Sequence, residues 1–201
     1  AQAEALGFIG GHAGEYIREE VEKLGIRASF VRVHGESRSC VNLWDSSACQ
    51  QTELLEPGIF VPEEKQQEFL DMFRQAVARC SVCVLSGSTP AGITEEFYPQ
   101  LIRIAKEIRK PVLLYTSGPL LSFEIGACPT LIKPNRDELA SLLGEKAAGL
   151  ETTLHYATKL HQQGIPFVVV SLGKDGAFLV CVEGVFRGYT PDLPVINTVG
   201  C

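Results

Sequence analysis

Four stretches of the chain combine residue types that can hold a phosphate: Ser86-Gly87-Ser88-Thr89-Pro90-Ala91-Gly92, Lys133-Pro134-Asn135-Arg136-Asp137-Glu138, Ser171-Leu172-Gly173-Lys174-Asp175-Gly176 and Asn197-Thr198-Val199-Gly200-Cys201. Glycines in such loops let backbone N–H groups approach an anion, and a following helix N-terminus adds favourable dipole charge. Any one loop could merely turn the chain; their coincidence favours anion binding. Asn135 and Glu138 stand three apart, the spacing of a capping box. The same spacing could aim the Glu138 carboxylate at a magnesium-bound water or a phosphate, since hard cations take oxygen ligands and keep waters. Arg38 could clamp a phosphate with paired N–H donors, and Lys133 could present its ammonium at a strand end. For both, a solvated or snorkelling surface cation is the alternative.

Other chemistries are disfavoured. Cys80-Ser81-Val82-Cys83 matches C-x-x-C, but no second pair stands at zinc-ribbon spacing, and structural thiols are the expectation. Gly7, Gly10, Gly11 and Gly14 do not have the G-x-G-x-x-G spacing, and no G-x-x-x-x-G-K-[ST] sequence is present. The histidines, His12, His34, His155 and His161, show no ligand spacing.

The loops need elements to position them. Apolar residues at 6–9 read as a strand, then Tyr16, Ile17, Val21 and Leu24 recur at helical spacing up to Gly25. Residues 30–33 and 39–44 read as strands of a helix-free insert. From Pro62 helices and strands alternate: a helix through Phe69, Met72, Phe73, Ala76 and Val77, a strand at 82–85, a helix at 95–108 and a strand at 112–115. A helix near Phe123, a strand at 130–132, helices from 135 and at 153–163, and a strand at 167–171 follow. Residues 177–182 and 185–189 read as an antiparallel pair turned at Glu183-Gly184. Repeated βα units imply an α/β fold, a doubly wound, mostly parallel sheet flanked by helices, with ligands beyond the carboxyl ends of the strands. The expected organisation is an α/β core at 1–27 and 56–201 with a small β-flap, or lid, at 28–55.

With 201 residues, 45% of them hydrophobic, the chain can bury one substantial core. Its formal charge of −6 argues against binding nucleic acid through counterion release. Seven cysteines without a disulfide framework fit a reducing cytoplasm, and no run reaches membrane-spanning length or resembles a secretory signal. The start without Met and the loop-like end at 197–201 suggest a chain cut at both ends.

Taken in order, Gly7-Phe8-Ile9-Gly10 with Gly14, Ser86-Gly87-Ser88 with Pro90 and Gly92, Lys133-Pro134-Asn135 with Glu138, Ser171-Leu172-Gly173 with Gly176, and Thr198-Val199-Gly200 resemble the PfkB/ribokinase-type carbohydrate kinases. Lys-Pro-Asn, Ser37-Arg38 before Asn42, and Thr52-Glu53 before Glu56-Pro57-Gly58 look most like the 1-phosphofructokinase and tagatose-6-phosphate kinase branch. The resemblance implies a ribokinase-like fold and phosphoryl transfer from ATP, with Mg2+, to a ketose phosphate such as fructose 1-phosphate or tagatose 6-phosphate. It would give Arg38, Gly87, Ser88 and Lys133 to the sugar phosphate and Ser171, Gly173 and Gly176 to the nucleotide. Asn135 and Glu138 would serve the metal indirectly, through water or phosphate. Thr198 and Gly200 would begin an anion hole.

The family's general base is an aspartate two residues beyond the position of Cys201, so the chain alone is expected to turn over little. Tyr115 stands where relatives often carry Asp. The alternatives are a nucleoside or simple-sugar kinase of the same fold, or a non-catalytic sugar-phosphate-binding module. A homodimer through the β-flap is expected, because exposed strand edges invite pairing.

Overall fold

A computed structural model of the chain describes residues 2–48, 50–116, 120–142, 144 and 149–191. These fall into two compact units, one of residues 1–83 and 88–110, the other of residues 84–87 and 111–201.

The first unit is built around a phenylalanine cluster. Strand β1 (Glu4–Ile9) brings in Phe8, helix α2 (Glu63–Arg79) Phe69 and Phe73, and helix α3 (Phe97–Glu107) Phe97. Phe8 stacks on Phe69 with ring centroids 4.8 Å apart, and Phe97 lies 5.6 Å from Phe69. On α2 the buried residues are Phe69, Leu70, Phe73, Ala76 and Val77, an apolar stripe of helical period, so its polar side faces water. Helix α1 (Gly11–Lys23) follows β1 and ends at Gly25, whose φ of +73° suits a residue without Cβ. Strand β2 (Arg27–Arg32) then pairs parallel with β1, from Glu4 opposite Arg27 to Ile9 opposite Arg32. Residues 28–32 therefore lie beside β1. The insert reduces to an antiparallel hairpin of β3 (Cys40–Asp45) and β4 (Gln50–Leu55). Alternating apolar character at 30–33 cannot tell a flap strand from a second parallel strand; α1 decides, by crossing over between the two.

The second unit holds a six-stranded sheet in the order β10-β9-β8-β7-β6-β5. Its strands are β5 (Cys83–Ser86), β6 (Val112–Tyr115), β7 (Leu131–Ile132), β8 (Phe167–Ser171), β9 (Ala177–Cys181) and β10 (Gly184–Gly188). Strands β6, β7 and β8 run parallel, while β9 and β10 continue the sheet antiparallel. Val112, Leu114, Ile132, Val168 and Val170 are almost wholly buried, as continuous apolar strands of a covered sheet should be. Helices α4 (Leu120–Gly126), α5 (Arg136–Leu142) and α6 (Leu150–Gln162) complete the unit. The architecture is thus α/β with a mostly parallel sheet and helices. Among the described residues no helix is long and apolar enough to cross a membrane.

Candidate functional site

In the first unit, the glycine-rich start of α1 is occupied by the protein's own chain. The Ser37 hydroxyl accepts a hydrogen bond from the Gly10 N–H at 3.0 Å, and the Ser37 N–H donates to the Gly10 carbonyl at 2.9 Å. The Glu36 carboxylate accepts from the Ala13 N–H at 2.5 Å, so an internal anion satisfies the N-terminus of α1. The glycines leave the room. A Cβ on Gly10 would stand 2.5 Å from the Gly35 carbonyl oxygen, one on Gly11 would collide with the Glu36 carboxylate, and one on Gly14 would stand 3.0 Å from the Ser37 hydroxyl. The segment that tempts a dinucleotide reading is therefore a seat for residues 35–37.

The next residue, Arg38, is exposed and donates through Nη2 to the Ser88 hydroxyl at 2.9 Å. Two of the residues expected at the sugar phosphate thus meet, although 50 positions separate them. Beside them, the Ser39 N–H donates to the Glu56 carboxylate at 2.9 Å, which ties the two stems of the hairpin. Arg32, by contrast, is bound into an ion pair with Glu15, and Glu15 is shared with Arg18. A pocket of about 430 Å³ lined by Gly10, Gly11, His12, Glu15 and Arg32 has that paired arginine as its cation.

In the second unit, the loops expected at the ligand leave the carboxyl ends of neighbouring strands. Gly87, at φ +96°, follows β5 and donates its N–H to the Tyr115 carbonyl at the end of β6. The Lys133 ammonium, just past β7, sits 4.4 Å from the centre of the Tyr115 ring, a cation–π contact. The Tyr115 ring therefore holds this lysine at the end of β6. Ser171, at the end of β8, donates its N–H to the Pro134 carbonyl at 3.1 Å and bridges to Asn135.

Asn135 and Glu138 form both halves of a capping box. The Asn135 side-chain oxygen accepts from the Glu138 N–H, and the Glu138 carboxylate accepts from the Asn135 N–H, each at 2.8 Å. This engages one Glu138 oxygen, Oε2. Among the described residues no group of three or more His, Cys, Asp or Glu side chains could enclose a metal ion.

The loop after β8 makes a 3-10 turn at Gly173–Asp175, with Gly173 at φ +61° and Gly176 at +89°. Space is open around Gly173, whereas a Cβ on Gly176 would strike the Gly188 carbonyl at the end of β10. Gly176 is thus required by the sheet itself. Arg136 approaches Asp175 at 3.6 Å and joins the start of α5 to this loop. Thr198 and Gly200 lie outside the described residues.

Two features carry no site. Burial, reinforced by the neighbouring Cys80, pushes the Cys83 thiol up to about 12, so at neutral pH it stays protonated and unreactive. Glu124 is the group that sequence reasoning missed. It is buried, its Oε2 accepts a hydrogen bond from the Thr116 hydroxyl, its Oε1 has no partner among the described residues, and burial raises its pKa. A glutamate within α4 carries no sequence signal of burial.

A mostly parallel α/β sheet flanked by helices, with glycine-containing loops at its carboxyl edge, is the architecture of the ribokinase-like class. The chain belongs to the pfkB family of carbohydrate kinases, which it matches over residues 1–201. It is 34% identical over 199 residues to a tagatose-6-phosphate kinase of Staphylococcus epidermidis, covering 98% of this chain and 64% of the relative. Its fold is similar to that of a mutant phosphofructokinase-2 from Escherichia coli (TM-score 0.88, 25% identity, 100% of this chain and 66% of that one). A tetrameric inhibited form of the same enzyme gives the same TM-score, identity and coverage. The chain thus spans a little under two thirds of the length of these relatives.

Proposed function

We propose that the protein is an ATP-dependent sugar-phosphate kinase whose acceptor is a ketose phosphate such as fructose 1-phosphate or tagatose 6-phosphate. Family membership supports the reaction class. The observation that supports a phosphorylated acceptor is the exposed Arg38, whose guanidinium is anchored on the Ser88 hydroxyl through Nη2. A planar fork of this kind suits a dianionic phosphate in a way that an uncharged sugar does not require.

In this reading Arg38, Ser88 and Gly87 hold the acceptor's phosphate, and Lys133 adds positive charge at the carboxyl edge of the sheet. The turn of Ser171, Gly173 and Gly176 receives the nucleotide. Asn135 and Glu138 orient water or phosphate around Mg2+, which when bound neutralises phosphate charge. Thr198 and Gly200 supply the first backbone donors of an anion hole. The transfer moves the γ-phosphoryl group directly from the nucleotide to a sugar hydroxyl, so positioning and electrostatics dominate over covalent chemistry.

The β3–β4 hairpin is proposed as a lid over the acceptor and as the contact with a second copy of this chain. All its described residues are exposed, with Val41, Leu43 and Leu54 on one face and Trp44 and Leu55 on the other. An isolated two-stranded hairpin is marginal in water. Apolar residues on both faces leave one face for substrate and one for a partner.

The test is ATP-dependent phosphorylation by a preparation with the full length of its relatives. Fructose 1-phosphate, fructose 6-phosphate and tagatose 6-phosphate are compared with the unphosphorylated sugars and nucleosides. Arg38→Ala is expected to raise KM for the sugar phosphate by about ten- to a hundredfold, the worth of a charge-assisted hydrogen bond, with the KM for ATP unmoved. Equal turnover of unphosphorylated sugars, insensitive to Arg38, would refute the assignment.

A further inference from the structure

Arg38 is exposed, and its one described hydrogen-bond partner is the exposed Ser88. What fixes its backbone lies immediately before it. Ser37 is buried and exchanges two hydrogen bonds with Gly10, and Glu36 reaches over the first turn of α1 to the Ala13 N–H. Gly35, at φ +109°, supplies the turn that directs the segment there. Gly10, Gly11 and Gly14 each lack the side chain that would push one of these residues away. A clamp of this build is more than loop closure requires, because the two hydrogen bonds of Ser37 already attach the segment to Gly10, between β1 and α1.

We propose that Glu36 is a positioning residue for the acceptor site: its carboxylate, seated on the N-terminus of α1, holds residues 35–38 in the one arrangement that presents the Arg38 guanidinium to the substrate's phosphate. The inference rests on the sugar-phosphate reading above. The bond from Ala13 is charge-assisted and aligned with the helix dipole, and adds a third attachment to the two bonds of Ser37. Without it, the segment samples unseated conformations in which Arg38 does not face the phosphate, and apparent affinity falls by the fraction still seated. The chemical step, once substrate is bound, is unaffected.

Kinetics of the full-length protein test this. If the seated fraction falls to about a tenth, Glu36→Ala raises KM for the sugar phosphate about tenfold, with kcat and the KM for ATP within about twofold. Glu36→Gln keeps an oxygen for the Ala13 N–H but loses the charge, and recovers part of that loss. Combined with Arg38→Ala, Glu36→Ala adds nothing further, because its effect passes through the arginine. Amide hydrogen exchange of residues 35–38 speeds up in Glu36→Ala, a readout independent of turnover. If Arg38→Ala raises KM but Glu36→Ala does not, or if the two effects multiply, the positioning role is overturned and the sugar-phosphate reading stands. If Arg38→Ala itself leaves KM unchanged, both are overturned.

Discussion

Gly10→Ala isolates the seat from every other property of the segment. Gly10 has φ −155°, extended backbone open to any residue, so the substitution carries no conformational penalty and its effect is steric. The added methyl would stand 2.5 Å from the Gly35 carbonyl oxygen and 2.9 Å from that of Val33. A carbon rests against a carbonyl oxygen at about 3.3 Å or more, so residue 35 must retreat by about 0.8 Å. That movement breaks the two bonds between Gly10 and Ser37, at about 1 kcal/mol each. If the segment stays, the overpacking costs about 1–3 kcal/mol. Both routes converge on about 2 kcal/mol. In urea unfolding followed by far-UV circular dichroism, with a slope of about 2 kcal/mol per molar, the midpoint should fall by about 1 M. Gly7→Ala is the internal control: on β1, three residues earlier, its Cβ would meet the Phe30 ring at 3.5 Å, ordinary contact, and the midpoint should hardly move. Gly10→Ala within about 0.5 kcal/mol of the parent, or Gly7→Ala equally costly, would refute the steric argument.

Other perturbations separate structure from function. The pKa of Glu124 is raised by burial, so its contribution is favourable at low pH, when it is protonated, and is lost as pH rises through the folded-state value. Glu124→Gln should therefore raise Tm at pH 8 but leave it nearly unchanged at pH 4; equal shifts at both would show that the charge is not the cause. Leu43→Glu, on an exposed face of the hairpin, should shift sedimentation toward monomer at micromolar concentration with Tm little changed, whereas an unaltered size distribution rejects this face as the contact. Glu138→Gln keeps an acceptor for the Asn135 N–H but removes the charge. It should leave stability within about 0.5 kcal/mol while raising the Mg2+ concentration needed for half-maximal rate, and a metal requirement that does not move would confine Glu138 to its capping role.

Much of the fold was legible because local pattern and environment agree. The strand expected at 167–171 is β8, and those at 112–115 and 130–132 are β6 and β7, since uninterrupted apolar runs flanked by polar turns have few alternatives in a covered sheet. The Asn135–Glu138 capping box was readable from spacing alone because both partners lie within one helical turn. The pairing of β2 with β1 was not, because strand character does not specify a neighbour.

The sequence by itself determined the class of fold, the family, and the residue types available for binding phosphate. The fold class followed because periodicity and short-range capping are properties of neighbours along the chain; the family followed from the resemblance of the ordered motifs. Only the tertiary structure decided what the glycines at 10, 11 and 14 are for, that Arg38 reaches Ser88 across 50 residues, that Gly176 serves the sheet, and that Glu124 is buried. Each of these depends on which distant segment arrives at the same place, and a side chain's burial, partner and charge state follow from that arrival alone.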